Sequence, residues 1–167
     1  PWGTSYAQRP MLFRNLGGKK FDPVPAVEGS GLARVVAGHG LAAGDLFNDG
    51  KIDVVINVLD SHPLLLRNVS ADHHHWVELK LVGGSKSPRD AVGATVYLTA
   101  GGQKQRGDII AGASYASTHD PRLHFGLGDA TTIDSVEVHW PSGNVQKFNS
   151  LKPDQVVTLT EGKDTQQ

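Results

Sequence analysis

Cysteine is absent from the 167 residues. Disulfides, thiolate nucleophiles and cysteine-type zinc sites are therefore excluded. Long apolar runs are missing too. The longest, IDVVINVLD from Ile52 to Asp60, is a strand's length and well short of the ~20 residues a membrane-spanning helix needs. Charge of one sign is not concentrated: 16 Lys and Arg stand against 17 Asp and Glu. No basic run offers a footprint for phosphates, so nucleic acid is not an expected partner. Catalytic signatures are also lacking. Ser114, Ser117 and His119 lie close together, but there is no G-x-S-x-G elbow and no spacing that sets a base against a nucleophile. Gly17-Gly18-Lys19-Lys20 lacks the spacing and following helix of a phosphate loop. The chain is expected not to be an enzyme.

What is present is glycine, 20 residues, with 9 prolines and apolar residues that alternate with polar ones. Period-two alternation bounded by Gly, Pro and Asn is the pattern of strands. The runs are 75–82, 93–100, 107–111, 122–127, 134–140, 144–148 and 155–160. Ala100-Gly101-Gly102-Gln103 and Pro141-Ser142-Gly143-Asn144 carry the residues that tight hairpins need at positive φ. The expected fold class is all-β, with no helix longer than two turns. The expected core holds Trp76, Val77, Leu79, Leu81, Val96, Leu98, Phe125, Val136, Val138, Trp140, Val157 and Leu159.

The segment GDLFNDGKID, Gly44 to Asp53, spaces Asp45, Asp49 and Asp53 as the first, fifth and ninth positions of a calcium loop, with Gly50 at the sixth. A hard cation takes six to eight oxygens, and the glycine lets the backbone turn sharply enough to converge them. The candidate ligands are the Asp45, Asp49 and Asp53 side chains and the Lys51 carbonyl. The third position, normally Asp or Asn, is Phe47, so calcium is expected to bind weakly. The alternative, which the missing ligand favours, is a plain turn in which the Asp side chains accept backbone N–H groups.

Two other clusters stand out. His73 and His75 would share a face of a strand and could hold zinc or copper with a third ligand from elsewhere; the alternative is an exposed stretch beside Trp76. Arg89, Asp90, Asp120 and Arg122, with Tyr115 and Ser117 nearby, could bind a sugar. The favoured reading is that they pin loops together through Arg–carboxylate pairs.

Met11-Leu12-Phe13-Arg14-Asn15 is echoed by Leu64-Leu65-Leu66-Arg67-Asn68, 53 residues later. A period near 50 suits one propeller blade. Residues 1–70 are therefore expected to form a blade cut from a longer propeller, and 71–167 a separate β domain, with the junction at Ser70-Ala71-Asp72.

LFRNLGGKKFDPV (12–24), GDLFNDGKIDVVINV (44–58) and LLLRN (64–68) resemble the FG-GAP/VCBS repeats of integrin-like β-propellers. SKSPRDAVGATVYLTAGG (85–102), SYASTHDPRLHFGLGDA (114–130) and DSVEVHWPSGNVQ (134–146) resemble the ASPIC/UnbV domain, which follows such propellers in bacterial secreted proteins and in cartilage acidic protein. The resemblance implies a terminal propeller-type blade and a β-sandwich-like domain. It further implies an extracellular, secreted, non-catalytic protein of binding or adhesion, with calcium loops in the propeller. Its partner would be an extracellular protein or glycan. Two alternatives are a carbohydrate-binding module, using Trp2, Tyr6, Tyr97 or Tyr115, and a structural protein that self-associates through open blade edges.

Overall fold

The computed structural model describes residues 6–163, and every described element of regular structure is a strand apart from one short 3-10 turn at Gly31–Ala33. The strands are β1 (Phe13–Asn15), β2 (Phe21–Pro23), β3 (Gly38–Gly44), β4 (Asp53–Val58), β5 (Leu64–Leu66), β6 (His75–Val82), β7 (Thr95–Ala100), β8 (Gln103–Asp108), β9 (Leu123–Gly128), β10 (Ser135–His139), β11 (Val145–Phe148) and β12 (Gln155–Thr160). The all-β class holds, with no closed barrel.

The second half forms two sheets, ordered β11-β10-β7-β8 and β12-β6-β9. Alternation aims Val96 and Leu98, Val136 and Val138, Val77 and Leu79, and Val157 and Leu159 into one shared core. The β6–β12 pair is parallel, with Leu79 opposite Val157 and Leu81 opposite Leu159. Burial of such side chains contributes roughly 1.5–3 kcal/mol each, and all of this cluster's buried residues lie between Val77 and Leu159. Tight turns close the hairpins where expected, with Gly101, Gly102 and Gly143 all at positive φ.

Two expectations are corrected. Trp76 does not join this core; Val77, Leu79 and Leu81 take the inward positions, and period two turns Trp76 and Glu78 to the other face of β6. The strand expected at 107–111 runs instead from Gln103 to Asp108, with Ile109 buried just beyond it. β8 is a sheet edge whose Gln-Lys-Gln-Arg stretch hides the alternation.

The first half contains the antiparallel sheet β3-β4-β5 and the hairpin β1-β2. Its own cluster is small: Ile56, Val58 and Leu64, with Val36, Val54 and Leu66 against them. At both copies of the sequence echo an Asn side chain closes a turn, of different span in each. Asn15 Oδ1 accepts from Gly18 N at 2.7 Å, and Asn68 Oδ1 accepts from Ser70 N at 3.1 Å, so each copy ends its strand with a side-chain turn. Residues 67–74, which link β5 to β6, carry no regular structure.

Candidate functional site

The chemistry-bearing side chains gather where the first half lies against the outer face of β6 and β9. The segment before β9 docks along β3. Ser117 Oγ donates to the Leu41 carbonyl at 2.7 Å, Asp120 N donates to the Ala43 carbonyl at 3.0 Å, and Ala43 N donates to His119 Nδ1 at 3.1 Å. Small residues permit this approach. A Cβ on Gly44 would stand 2.7 Å from Asp120 Cβ, and one on Gly40 would stand 2.8 Å from the Tyr115 carbonyl oxygen.

Arg122 is the centre of the junction. Nε donates to Asp120 Oδ2 at 2.8 Å and Nη2 to the same oxygen at 2.5 Å; Nη1 donates to Asn48 Oδ1 at 2.6 Å; Nη2 also donates to the Asp45 carbonyl at 2.8 Å. Nη1 lies 2.8 Å from Glu78 Oε2. One guanidinium thus ties β6, the strap before β9 and the loop between β3 and β4. The favoured loop-locking role fits Asp120 and Arg122. Arg89 and Asp90 do not join them: they pair with each other at 3.3 Å in an exposed turn.

Glu78 is the least comfortable member. It is 1 % exposed, and Oε2 has an ion-pair contact without hydrogen-bond alignment. Burial raises its carboxyl to about 7; Arg122 pulls the other way, and Asp45 and Asp120 push it further up. At Asp120 burial also favours the neutral form, but hydrogen bonds from Arg122 outweigh it and the net shift is downward. Arg122 is raised in turn, first by its hydrogen bond to Asp120. His124, with Nδ1 3.7 Å from Glu78 Oε1, is lowered by burial. The Trp76 indole stacks parallel on His124 at 6.1 Å. It also lies against Gly50, at φ +81°, where a Cβ would run into the indole ring. A cavity of about 210 Å³ between the halves is lined by Glu78, His119, Asp120 and His124 beside Ile52 and Ile110.

The calcium-type loop is built as the turn alternative requires. Asp45, fully buried, accepts from Asp49 N at 3.1 Å and from Gly50 N at 2.7 Å. Asp53, 1 % exposed, accepts from Leu46 N at 3.3 Å and from Asn68 N at 2.8 Å. Asp49 accepts from Lys51 N at 3.2 Å. Lys51 sends its ammonium to the Ser70 carbonyl at 2.5 Å. Phe47 adds no oxygen. As folded, five of the six carboxylate oxygens accept backbone N–H groups, so an ion here would share them rather than take free ones. Among the described residues no group of three or more His, Asp or Glu converges to hold a metal.

The histidine run opens onto a cleft of about 750 Å³ that also meets Asp49, Trp76 and Asp154. His74 Nδ1 lies 3.1 Å from Asp129 Oδ1, and His75 Nδ1 lies 2.7 Å from Asp154 Oδ2. His73 precedes β6 rather than sharing a strand with His75. Among the candidate sugar platforms, Tyr97 carries the Lys104 ammonium 4.7 Å from its ring centre, Tyr115 meets His39 edge-on, Tyr6 is exposed, and Trp2 lies outside the described residues.

Sequence reasoning missed Glu78, His124 and Glu161. Glu161 Oε1 accepts from Ser142 Oγ and from Asn144 Nδ2 at 3.0 Å, while Oε2 accepts from Gly84 N at 2.8 Å. Hydrogen bonds from Ser142 and Ser87 pull it down to about 2. Ser142 and Asn144 belong to the Pro141–Asn144 turn, so the motif's Ser and Asn serve the lock as well as the turn.

Residues 84–166 match the family model described as ASPIC and UnbV. This half of the chain carries an ASPIC/UnbV domain. The match begins after β6, so the strand that bears Trp76 and Glu78 precedes it while completing its smaller sheet. Arg122, Asp120 and Glu161 fall inside the ASPIC/UnbV match; Asp45 and Asn48 fall outside. No curated protein matches the chain.

Proposed function

We propose that this is a non-catalytic, extracellular binding or adhesion protein whose first part meets a protein partner. The observation that carries the reading is where apolar surface is left in water. Fifteen of the twenty exposed large hydrophobic side chains among the described residues lie before residue 71, including Met11 and Val69 at 77 % and 79 % exposure. The hairpin β1-β2 has no buried residue. A two-stranded hairpin is marginal by itself, and clustered apolar surface of this kind marks interaction faces.

The character of the patch favours protein over glycan. A groove of about 560 Å³ is walled by Met11, Leu12, Pro23, Val24 and Val35. Aliphatic walls suit another protein's side chains, whereas sugar rings prefer flat aromatic faces. The same reading makes residues 1–70 an FG-GAP/VCBS-type propeller blade and 71–167 a β-sandwich-like domain. The placement outside the cell comes with the repeat resemblance. Non-catalytic fits the roles of Ser117 and His119, both engaged with the β3 backbone.

The test is sedimentation velocity across a hundredfold concentration range, with a dye that reports exposed apolar surface. The chain is expected to self-associate through this face and to bind dye. The double substitution Leu12→Glu with Val35→Glu should abolish both. A wild-type chain that stays monomeric and does not bind the dye removes the support for this reading.

A further inference from the structure

We propose that Arg67, seated on the ring of Phe47, supplies the positive charge that a bound cation would bring to the loop Gly44–Asp53, so that this loop closes without calcium. The two departures from a calcium loop are spatially one feature. Phe47 stands where an oxygen ligand belongs, and the Arg67 guanidinium lies 4.2 Å from the centre of that same ring. Arg67 Nη2 is 3.8 Å from Asp49 Oδ2, the carboxylate at the fifth position. An aromatic face attracts a guanidinium, so replacing an anion by Phe at the third position turns a ligand for a cation into a seat for one.

With Arg67 counted, all six carboxylate oxygens of the three aspartates have a protein partner. Five accept backbone N–H groups, from Asp49, Gly50, Lys51, Leu46 and Asn68, and the sixth faces Arg67. Delivery of the guanidinium is fixed by its neighbour. Asn68 N donates to Asp53 Oδ1 at 2.8 Å, which anchors the chain one residue beyond Arg67 to the loop itself. A second tethered cation, Arg122, reaches the loop from the other side through the Asp45 carbonyl and Asn48. Arg67 and Asp49 are both partly exposed, so their attraction alone is weak. The effect lies in covering the loop's remaining charge at no binding cost.

The experiment compares wild type, R67M and the double variant F47D/R67M, in EDTA and in 5 mM calcium. It follows melting temperature and terbium luminescence sensitised by Trp76, whose indole lies against Gly50. Wild type is expected to melt at the same temperature in both buffers and to give no calcium-displaceable terbium signal. F47D/R67M, with the third carboxylate present and the tethered cation gone, is expected to gain about 5 °C or more in calcium and a terbium signal that calcium displaces. R67M alone is expected to melt below wild type in EDTA. A calcium-induced rise in the wild-type melting temperature overturns the proposal, because Phe47 and Arg67 would then not exclude the ion. So does a double variant that gains nothing from calcium. If the double variant is unfolded in EDTA, refolding on calcium addition supports the proposal and failure to refold overturns it.

Discussion

Arg122 donates through Nη2 to the backbone carbonyl of Asp45 at 2.8 Å, across 77 residues of sequence. That bond joins the strap before β9 to the loop between β3 and β4. It is supported by the pair to Asp120 on one side and by Glu78 on the other. Removing the guanidinium would leave the buried Glu78 carboxylate without its ion-pair partner, and Asp120 Oδ2, the Asn48 amide oxygen and the Asp45 carbonyl without their donor. Loss of one partner from a buried pair costs about 3–5 kcal/mol. Arg122→Met is expected to lower stability by about that amount in urea unfolding at pH 8. Arg122→Lys should recover little of it, since a single ammonium cannot serve Asp120, Asn48, Asp45 and Glu78 together.

The same cluster makes stability depend on pH with an unusual sign for a carboxylate. Glu78 is raised from its ordinary 4.5 to about 7 in the folded chain, chiefly by burial. The folded state therefore binds the proton more tightly than the unfolded state. Its stabilising contribution is full below about 4.5 and is lost as pH rises through about 7. The upper bound on the loss is about 3 kcal/mol. Glu78→Gln, which is neutral at every pH, is expected to match wild type near pH 4.5 and to melt higher than wild type at pH 8. A Glu78→Gln protein that melts lower at both pH values would mean that the ion pair to Arg122 outweighs burial.

Glu161 acts in the opposite direction. Hydrogen bonds from Ser142 and Ser87 hold its carboxyl at about 2, well below its ordinary 4.5. A lowered folded-state value gives stability that is present above about 4.5 and lost as pH falls toward about 2. Glu161→Gln is expected to flatten the acid limb of the melting-temperature profile over that window and to leave the alkaline limb unchanged. An unaltered acid limb would show that Ser142 and Asn144 hold the turn without help from the charge.

Strands β6, β7, β10 and β12 were legible because each places one face in a shared core, so polarity alternates along the chain. β8 was not, since an edge strand with Gln103, Lys104, Gln105 and Arg106 in a row has no apolar face to alternate. Trp76 was misplaced by residue type. Its bulk suggested the core, yet Val77 beside it cannot point the same way, and the second face of β6 is covered by the first half of the chain. That covering also explains why Glu78 was missed: an acidic residue in an alternating strand looks exposed until something packs on it. The Asp120–Arg122 pair was readable as a loop lock, but Asp45 and Asn48 as its distant partners were not, because no local spacing encodes a bond across more than seventy residues.

The division at Ser70–Asp72 can be tested with the junction as its own reporter. The larger core draws its buried residues from Val77 to Leu159, whereas the first half offers Ile56, Val58 and Leu64. Residues 71–167 expressed alone are therefore expected to fold, with a β-type circular dichroism spectrum and one cooperative melting transition. Residues 1–70 alone are expected not to fold, since the three-stranded sheet has so small a cluster and the exposed hairpin adds nothing to it. Deleting the first half also uncovers the outer face of β6. Glu78 would then lie in water, with Asp45 removed and its burial relieved, and its titration should return toward 4.5. The fragment should accordingly lack the fall in stability between about pH 4.5 and 7 that is expected of the full chain. A fragment that folds and keeps that fall would place its origin elsewhere than Glu78. A fragment that does not fold at all would make the two halves one cooperative unit, with Arg122 and Trp76 as part of a single core rather than as a clasp between two.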